Sequence, residues 1–283
     1  MVTYKRCSEV DINSVYEAFQ IGFSDYIIKI NMSKDDFITR FLGPEGNCLE
    51  HSFVALDENK AVGVILGGIK VYEGIKTIRC GTLGVHPEYR GKGISNKLFE
   101  LHKEEGIKNQ CKQLFLEVIV GNDRAVNFYK KLGYEKIYDL SYYSFDDTSK
   151  LKKYDITNVH IRKIDLSEFE KVIDKTKDIH INWQNDMDYV KKCDNTFYYG
   201  SYYGDELVGS LCISSNGKLS FLSIKSEFRG KGIATSLLNK ACEELAISKV
   251  AVAFPNNNLL QGFLKHMNFK KDNISQYEMY LTL

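Results

Sequence analysis

The segment VHPEYRGKGIS, Val85–Ser95, returns as IKSEFRGKGIA, Ile224–Ala234, so the chain has to hold two copies of whatever this turn serves. The first copy follows the apolar run TIRCGTLGV and precedes Leu98, Leu101 and His102 at helical spacing. The second follows LSFLSI and precedes Leu237, Leu238, Ala241 and Leu245. Each therefore reads as strand, glycine turn, helix start. A helix start presents N–H groups without internal partners at the positive end of the helix dipole, which suits phosphate oxygens. Gly91 and Gly93, like Gly230 and Gly232, allow left-handed backbone close to an anion, while Arg90 and Lys92 add charge at the rim. A nucleotide triphosphatase loop needs Lys and then Ser/Thr after its last glycine, whereas Ile94-Ser95 and Ile233-Ala234 stand there. A dinucleotide fingerprint needs a third glycine that neither copy has.

A length of 283 residues suits two domains of about 140 each. The formal charge of +1 argues against a nucleic-acid partner, which asks for a basic excess. Seven cysteines lie scattered without a C-x-x-C pair, as reduced thiols with no metal site, the usage of a cytoplasmic protein. The opening MVTYKRCSEVD is charged rather than a leader, and no apolar run reaches membrane length.

The pattern predicts a strand at Val2–Arg6, a helix carrying Ile12, Val15, Tyr16 and Phe19, and a second helix capped by Ser33 and Asp36. SFVAL, the turn DENK and AVGVILGGIKVY form a hairpin. Polar residues 146–158 read as a linker, after which the plan repeats: strand Val159–Lys163, helices Ser167–Lys175 and Asn185–Lys192, and a hairpin turned at Gly204–Glu206. The hairpin's tyrosines fit a packed sheet face better than an open groove.

Both loops resemble the pyrophosphate motif of the GNAT superfamily of N-acetyltransferases, Arg/Gln-x-x-Gly-x-Gly/Ala, matched by Arg90, Gly93, Ser95 and by Arg229, Gly232, Ala234, with Ser95 a small departure. The resemblance implies an α/β fold of two tandem domains, residues 1–147 and 158–283. Each would be a mostly antiparallel mixed sheet with a splayed parallel central strand pair, flanked by helices. It also implies acetyl-coenzyme A as cofactor. The diphosphate would lie on Arg90, Gly91, Lys92, Gly93, Ile94 and Ser95, or on Arg229, Gly230, Lys231, Gly232, Ile233 and Ala234. The pantetheine arm would run along the backbone of Leu83 and Val85. In this family the region between the early helices borders the acceptor, which places Phe23, Tyr26 and Tyr72 near a substrate unless they are ordinary core.

The match densifies at L-E-V-x-x-x-N-x-x-A-x-x-F-Y-x-x-L-G-Y, Leu116 to Tyr134. It is similar to ribosomal-protein N-terminal acetyltransferases, which implies Glu117 as base, Tyr129 as acid and a cofactor contact at Asn122, a residue that also suits a helix N-cap. The chemistry wants such a pair. An ammonium of pKa about 10 must lose a proton before it attacks, and a thiolate of pKa about 8.5 must gain one as it leaves. Glu117 on an apolar strand also has a plain reading, as a solvent-facing or capping carboxylate.

Aligning Asn257 with Asn122 puts Leu264 at Tyr129 and Val252 at Glu117, so the second half keeps the loop and loses both proton carriers, with His266 or Tyr277 as possible replacements. Two functions follow. One is an acetyl-coenzyme A-dependent N-acetyltransferase for a primary amine, either a small molecule or a protein N-terminus or lysine, with no nucleic acid or membrane partner. The other is a non-catalytic acyl-coenzyme A sensor or partner-binding protein. Release of free thiol with an amine separates them.

Overall fold

The computed structural model describes residues 1–173 and 179–283, which form two compact units, Met1–Tyr138 with Gln276–Leu283 and Asp139–Ser275, unit 1 and unit 2 below. No helix among the described residues is long and apolar enough to cross a membrane.

Unit 1 opens with β1 (Val2–Arg6), α1 (Ile12–Gly22) and the short α2 (Lys34–Phe37), which runs on as a π-helical turn, Ile38–Leu42. Asp11 caps α1 by accepting from the Asn13 N–H, and Ser33 caps α2 by accepting from Asp36 at 3.1 Å. There follow β2 (Cys48–Asp57), β3 (Lys60–Tyr72), β4 (Ile75–Val85), α3 (Ile94–Lys108), β5 (Gln113–Ile119), α4 (Asp123–Lys131) and the start of β6 (Glu135–Phe145). Strands β1 to β4 form an antiparallel meander, and β5 joins β4 in parallel. The core between sheet and helices is made by Ile65, Ile78, Leu98, Leu114, Leu116 and their neighbours. Burying a side chain such as Leu98, 0 % exposed, contributes about 2–3 kcal/mol and holds α3 to the sheet.

Unit 2 takes the rest of β6 and then β7 (Val159–Ile164), α5 (Leu166–Ile173), α6 (Met187–Val190), β8 (Thr196–Tyr203), β9 (Glu206–Ser214), β10 (Lys218–Ile224), α7 (Ile233–Glu244), β11 (Val250–Phe254), α8 (Asn258–His266) and the start of β12 (Lys270–Thr282). The expected end of α5, 174 and 175, lies outside the described residues. The second helix is shorter than expected, with Asp186 as its cap. The hairpin turns at Gly204, where φ is +58°. Tyr199 and Tyr202 are buried, as the packed-face reading expects, and Tyr203 is exposed.

The compact units differ from the sequence halves 1–147 and 158–283, because the last strand of each repeat serves the other unit. In unit 1, residues 276–282 of β12 pair antiparallel with 113–119 of β5. In unit 2, residues 141–145 of β6 pair antiparallel with 250–254 of β11. The expected linker is packed rather than loose. The Thr148 N–H donates to the Ser248 carbonyl, Leu151 is buried, and Asn239 Nδ2 donates to the Lys152 carbonyl at 2.7 Å, so 148–152 runs along α7.

Candidate active site

In unit 1, β4 and β5 pair only at Thr77–Gln113, Ile78–Leu114 and Arg79–Phe115, and beyond these the strands separate. A cleft of about 320 Å³ opens there, walled by Leu83 and Val85 of β4, the glycine turn, and Asn122, Phe128 and Tyr129 around α4. Gly91 and Gly93 have φ of +75° and +82°, and a Cβ on either would meet nothing within 4 Å. Glycine is needed there for its backbone conformation, not for packing. Gly93 is the N-cap of α3 without a side-chain cap, and the helix ladder begins with the Lys97 N–H to the Gly93 carbonyl at 3.0 Å. The amides of Ile94, Ser95 and Asn96 precede that bond, and all three residues line the cleft.

Arg90 does not offer free charge at the rim. Its Nε donates to the Val85 carbonyl at 3.0 Å, Nη2 to the Gly22 carbonyl at 3.2 Å, and both terminal nitrogens to Asp25 at 2.5 and 2.7 Å. The guanidinium thus ties the end of α1 to the loop, and its hydrogen bonds to Asp25 lower that carboxyl to about 2. Lys92 stands over the Tyr89 ring at 4.8 Å and is not part of the cleft wall. The close fit of α1 depends on glycine: a Cβ on Gly22 would lie 2.9 Å from the Gly84 backbone. Phe23 and Tyr26 line the cleft, but Tyr72 does not; it is 2 % exposed and packed on Phe115. Asn122 caps α4, accepting from the Ala125 N–H at 3.3 Å, and also hydrogen-bonds the Tyr26 side chain.

Tyr129 lines this cleft, its hydroxyl lies 4.0 Å from buried Cys80 Sγ, and its ring meets Phe128 and Tyr134 edge-on. Burial pushes the Tyr129 hydroxyl well above the ordinary phenol value and the Cys80 thiol up to about 12. Both are therefore protonated at neutral pH, with Tyr129 a donor.

Glu117 lies apart from that wall. Leu116 and Val118 of β5 pack into the core with Tyr129, so strand alternation turns Glu117 to the other face. There its side chain is 3 % exposed, and Oε2 accepts from Arg79 Nη2 at 2.6 Å and Nε at 3.1 Å. Arg79 also donates to Glu45, at 2.9 Å to the carboxylate and 3.2 Å to the carbonyl. Glu117 Oε1 is buried without a hydrogen-bond partner. Burial raises the Glu117 carboxyl, Arg79 lowers it, and the net shift is upward. Sequence reasoning missed Arg79 and Glu45, although a single arginine inside TIRCGTLGV was a visible signal.

The second loop repeats the first in detail. Gly230 and Gly232 have φ of +74° and +79°, Gly232 caps α7, and Arg229 Nε donates to the Ile224 carbonyl at 2.9 Å. Its cleft of about 390 Å³ is lined by Arg229, Gly230, Gly232, Ile233, Ala234 and Asn257, with Lys231 placed over Phe228 instead. The ring of Tyr154 lies beside Gly232, where a Cβ would meet it at 2.7 Å. Buried Leu264 takes the place of Tyr129, seven residues after the asparagine cap, but Val252 does not take that of Glu117: it packs in the core with Leu264, on the face that Leu116 and Val118 occupy in unit 1, and the strand register sets Ala253 at the Glu117 position. His266 lines this cleft, whereas Tyr277 belongs to unit 1, paired with Val118.

The unit 1 cleft fits a coenzyme with a diphosphate and an extended amide arm, with open helix-start amides, glycines facing free space and strand edges left unpaired, and the unit 2 cleft repeats these features except that Tyr154 stands against Gly232. The model of the Acetyltransferase (GNAT) family matches residues 13–134 and 159–269. An acetyltransferase of Sodalis glossinidius (strain morsitans) is 38 % identical over 82 residues, covering 29 % of this chain and 55 % of that protein. N-alpha-acetyltransferase 30 of Schizosaccharomyces pombe is 34 % identical over 94 residues, covering 31 % of this chain and 62 % of that protein. The matches thus span under two thirds of the length of these relatives. A tandem GNAT protein from the clavulanic acid biosynthesis pathway is similar in fold over 100 % of this chain and 98 % of its own, with TM-score 0.71 and 13 % identity.

Proposed function

Because the chain belongs to the acetyltransferase (GNAT) family, we propose that unit 1 is an acetyl-coenzyme A-dependent N-acetyltransferase acting on a primary amine by direct transfer. The bound coenzyme supplies an activated thioester. The amides of Gly91 to Ser95 hold its diphosphate, the free edge of β4 at Leu83 and Val85 holds its arm, and Asn122 and Tyr26 border it. Tyr129 gives its hydroxyl proton to the departing sulfur. Glu117 Oε1, on the face of β5 opposite Tyr129, takes the proton of an ammonium that approaches the gap between β4 and β5 from that side, through water, while Arg79 keeps Oε2 in place. The new C–N bond replaces the C–S bond, and the nitrogen gives up two protons: one goes to the carboxylate before attack and on to solvent, and one leaves as the adduct collapses and restores, through water, the phenol proton given to sulfur. Holding amine and thioester together supplies much of the rate.

Unit 2 takes coenzyme A on Arg229 to Ala234 without transferring from it. The acceptor is a small-molecule amine or a protein N-terminus or lysine, the N-terminus being favoured by the name of the fission-yeast relative. The single observation that carries this reading is that Tyr129 lines the same cleft as the loop residues Gly91, Gly93, Ile94, Ser95 and Asn96, with Leu264 at that position in unit 2.

The test is thiol release from acetyl-coenzyme A with an amine panel. Tyr129→Phe is expected to lower kcat about 10²-fold or more while leaving coenzyme binding intact. Activity that survives Tyr129→Phe but disappears with Arg229→Glu would assign catalysis to unit 2. The clamp of Arg79 on Glu117 favours one alternative, a non-catalytic acyl-coenzyme A sensor, for which coenzyme binding without thiol release on any amine would speak.

A further inference from the structure

In unit 2, β10 and β11 pair only at Lys218–Ala251 and Leu219–Val252 before they part. Below the loop cleft the gap continues into a deeper cavity of about 80 Å³, and Ile179, Leu222, Ser223, Asn257 and Leu260 wall both spaces. Besides Asn257, two buried asparagines line the deeper cavity, Asn182 at 1 % and Asn185 at 7 % exposure. Asn185 Nδ2 donates to the Ala253 carbonyl at 2.7 Å and to Asn182 Oδ1 at 2.9 Å. A backbone carbonyl only accepts, so Ala253 fixes which atom of Asn185 is nitrogen, and Asn185 in turn orients Asn182. One donor and one acceptor are left over. Asn182 Nδ2 and Asn185 Oδ1 are both buried without a hydrogen-bond partner. Buried polar groups in native proteins are almost always paired, so this complementary couple marks a place where a ligand completes the bonding.

The geometry points to an acyl-recognition pocket: unit 2 holds a coenzyme A thioester whose short acyl group carries a hydroxyl, and holds it without transfer. This rests on the reading that the Arg229 loop takes coenzyme A. With the diphosphate on the amides of α7, the arm enters the gap between β10 and β11 and brings the acyl end to the deeper cavity. The thioester carbonyl accepts from Asn182 Nδ2, and the hydroxyl donates to Asn185 Oδ1. The cavity has the volume of roughly two to three waters at about 30 Å³ each, enough for a two- or three-carbon acyl group. Phe221, Val252 and Phe254 supply the apolar part of a wall that His180, Ser220 and Ser223 also line, and with Leu264 in the position of Tyr129 no phenol stands there to protonate a departing sulfur.

The experiment uses the full chain with Ser95→Glu, whose carboxylate at the start of α3 repels a diphosphate and closes the unit 1 loop. Calorimetric titration with glycolyl-, propionyl- and acetyl-coenzyme A then reads unit 2 alone. Glycolyl and propionyl differ only by hydroxyl against methyl. Glycolyl-coenzyme A is expected to bind about tenfold tighter than propionyl-coenzyme A, and Asn185→Leu to reduce that preference to less than about twofold. Absence of binding by all three thioesters would overturn the coenzyme reading of unit 2. Equal affinity for glycolyl and propionyl would overturn the asparagine pocket while leaving the coenzyme reading standing. The ligand series needs no change in the cavity, so it decides even if Asn185→Leu fails to fold.

Discussion

His102 offers a sharp test of how unit 1 is packed. It sits on α3, 0 % exposed, with neither ring nitrogen hydrogen-bonded, against Gly67 of β3, where a Cβ would lie 3.0 Å from the imidazole. Burial lowers its pKa from 6.5 to about 3, against the opposing pull of Glu105 and with a further lowering from His51. The folded value lies below the unfolded one, so the unfolded chain binds the proton first. His102 therefore costs nothing above about pH 6.5 in this respect, and costs more as pH falls from there to about 3. At about 1.36 kcal/mol per unit, the cost at pH 5 is about 2 kcal/mol. His102→Leu keeps an apolar body and removes both the titration and the unpaired nitrogens, whose burial costs about 1–3 kcal/mol at any pH. The variant is thus expected to be more stable than the parent at pH 8, with the gap widening by about 2 kcal/mol at pH 5. Glu105 does not blur this window. Burial raises its carboxyl, but bonds to Arg6 and His51 outweigh that and lower it to about 2, so its stabilisation is lost only below about pH 4.5. Urea unfolding followed by circular dichroism at pH 8 and pH 5 reads the gap. A gap of equal size at both values would refute a neutral, buried His102.

Arg79→Met would leave Glu117 buried without the cation that holds it and would take from Glu45 its 2.9 Å partner, costing about 3–5 kcal/mol of stability. Because Arg79 holds the Glu117 carboxyl down, its removal is also expected to move the acidic limb of the kcat/KM profile to higher pH; an unmoved limb would argue against Glu117 as base. Gly22→Ala would drive a Cβ to 2.9 Å from the Gly84 backbone, with an expected cost of about 1–3 kcal/mol in thermal or denaturant unfolding and a weaker KM for coenzyme, since the same contact frames the cleft.

Much of the site was legible because it is local. The left-handed glycines, the uncapped helix start, and the Asn122 and Asn257 caps are properties of a few consecutive residues, and both copies carry them. Even the helix stop recurs, with Gly133 at φ +94° in one repeat and Asn268 at φ +63° in the other. Side-chain destinations were less legible. Arg90 read as a charge for phosphate, yet its partner Asp25 lies 65 positions earlier. Glu117 read as a base at a cleft or as a solvent-facing carboxylate, yet it is buried on the face opposite Leu116 and Val118, and Arg79, its partner 38 positions away, had no local signature tying the two.

The sequence by itself determined that two similar strand–turn–helix segments exist and that only the first has a tyrosine seven residues after its asparagine cap, Tyr129 against Leu264, because backbone conformation and helix-end chemistry are set within about one helical turn. Tertiary structure alone decided that 276–282 completes the unit 1 sheet and 141–145 that of unit 2. It also decided which carboxylate each arginine meets. A strand's alternating pattern says which face is buried but leaves its hydrogen-bonding edges indifferent to which neighbour fills them, and that choice belongs to the whole packed chain.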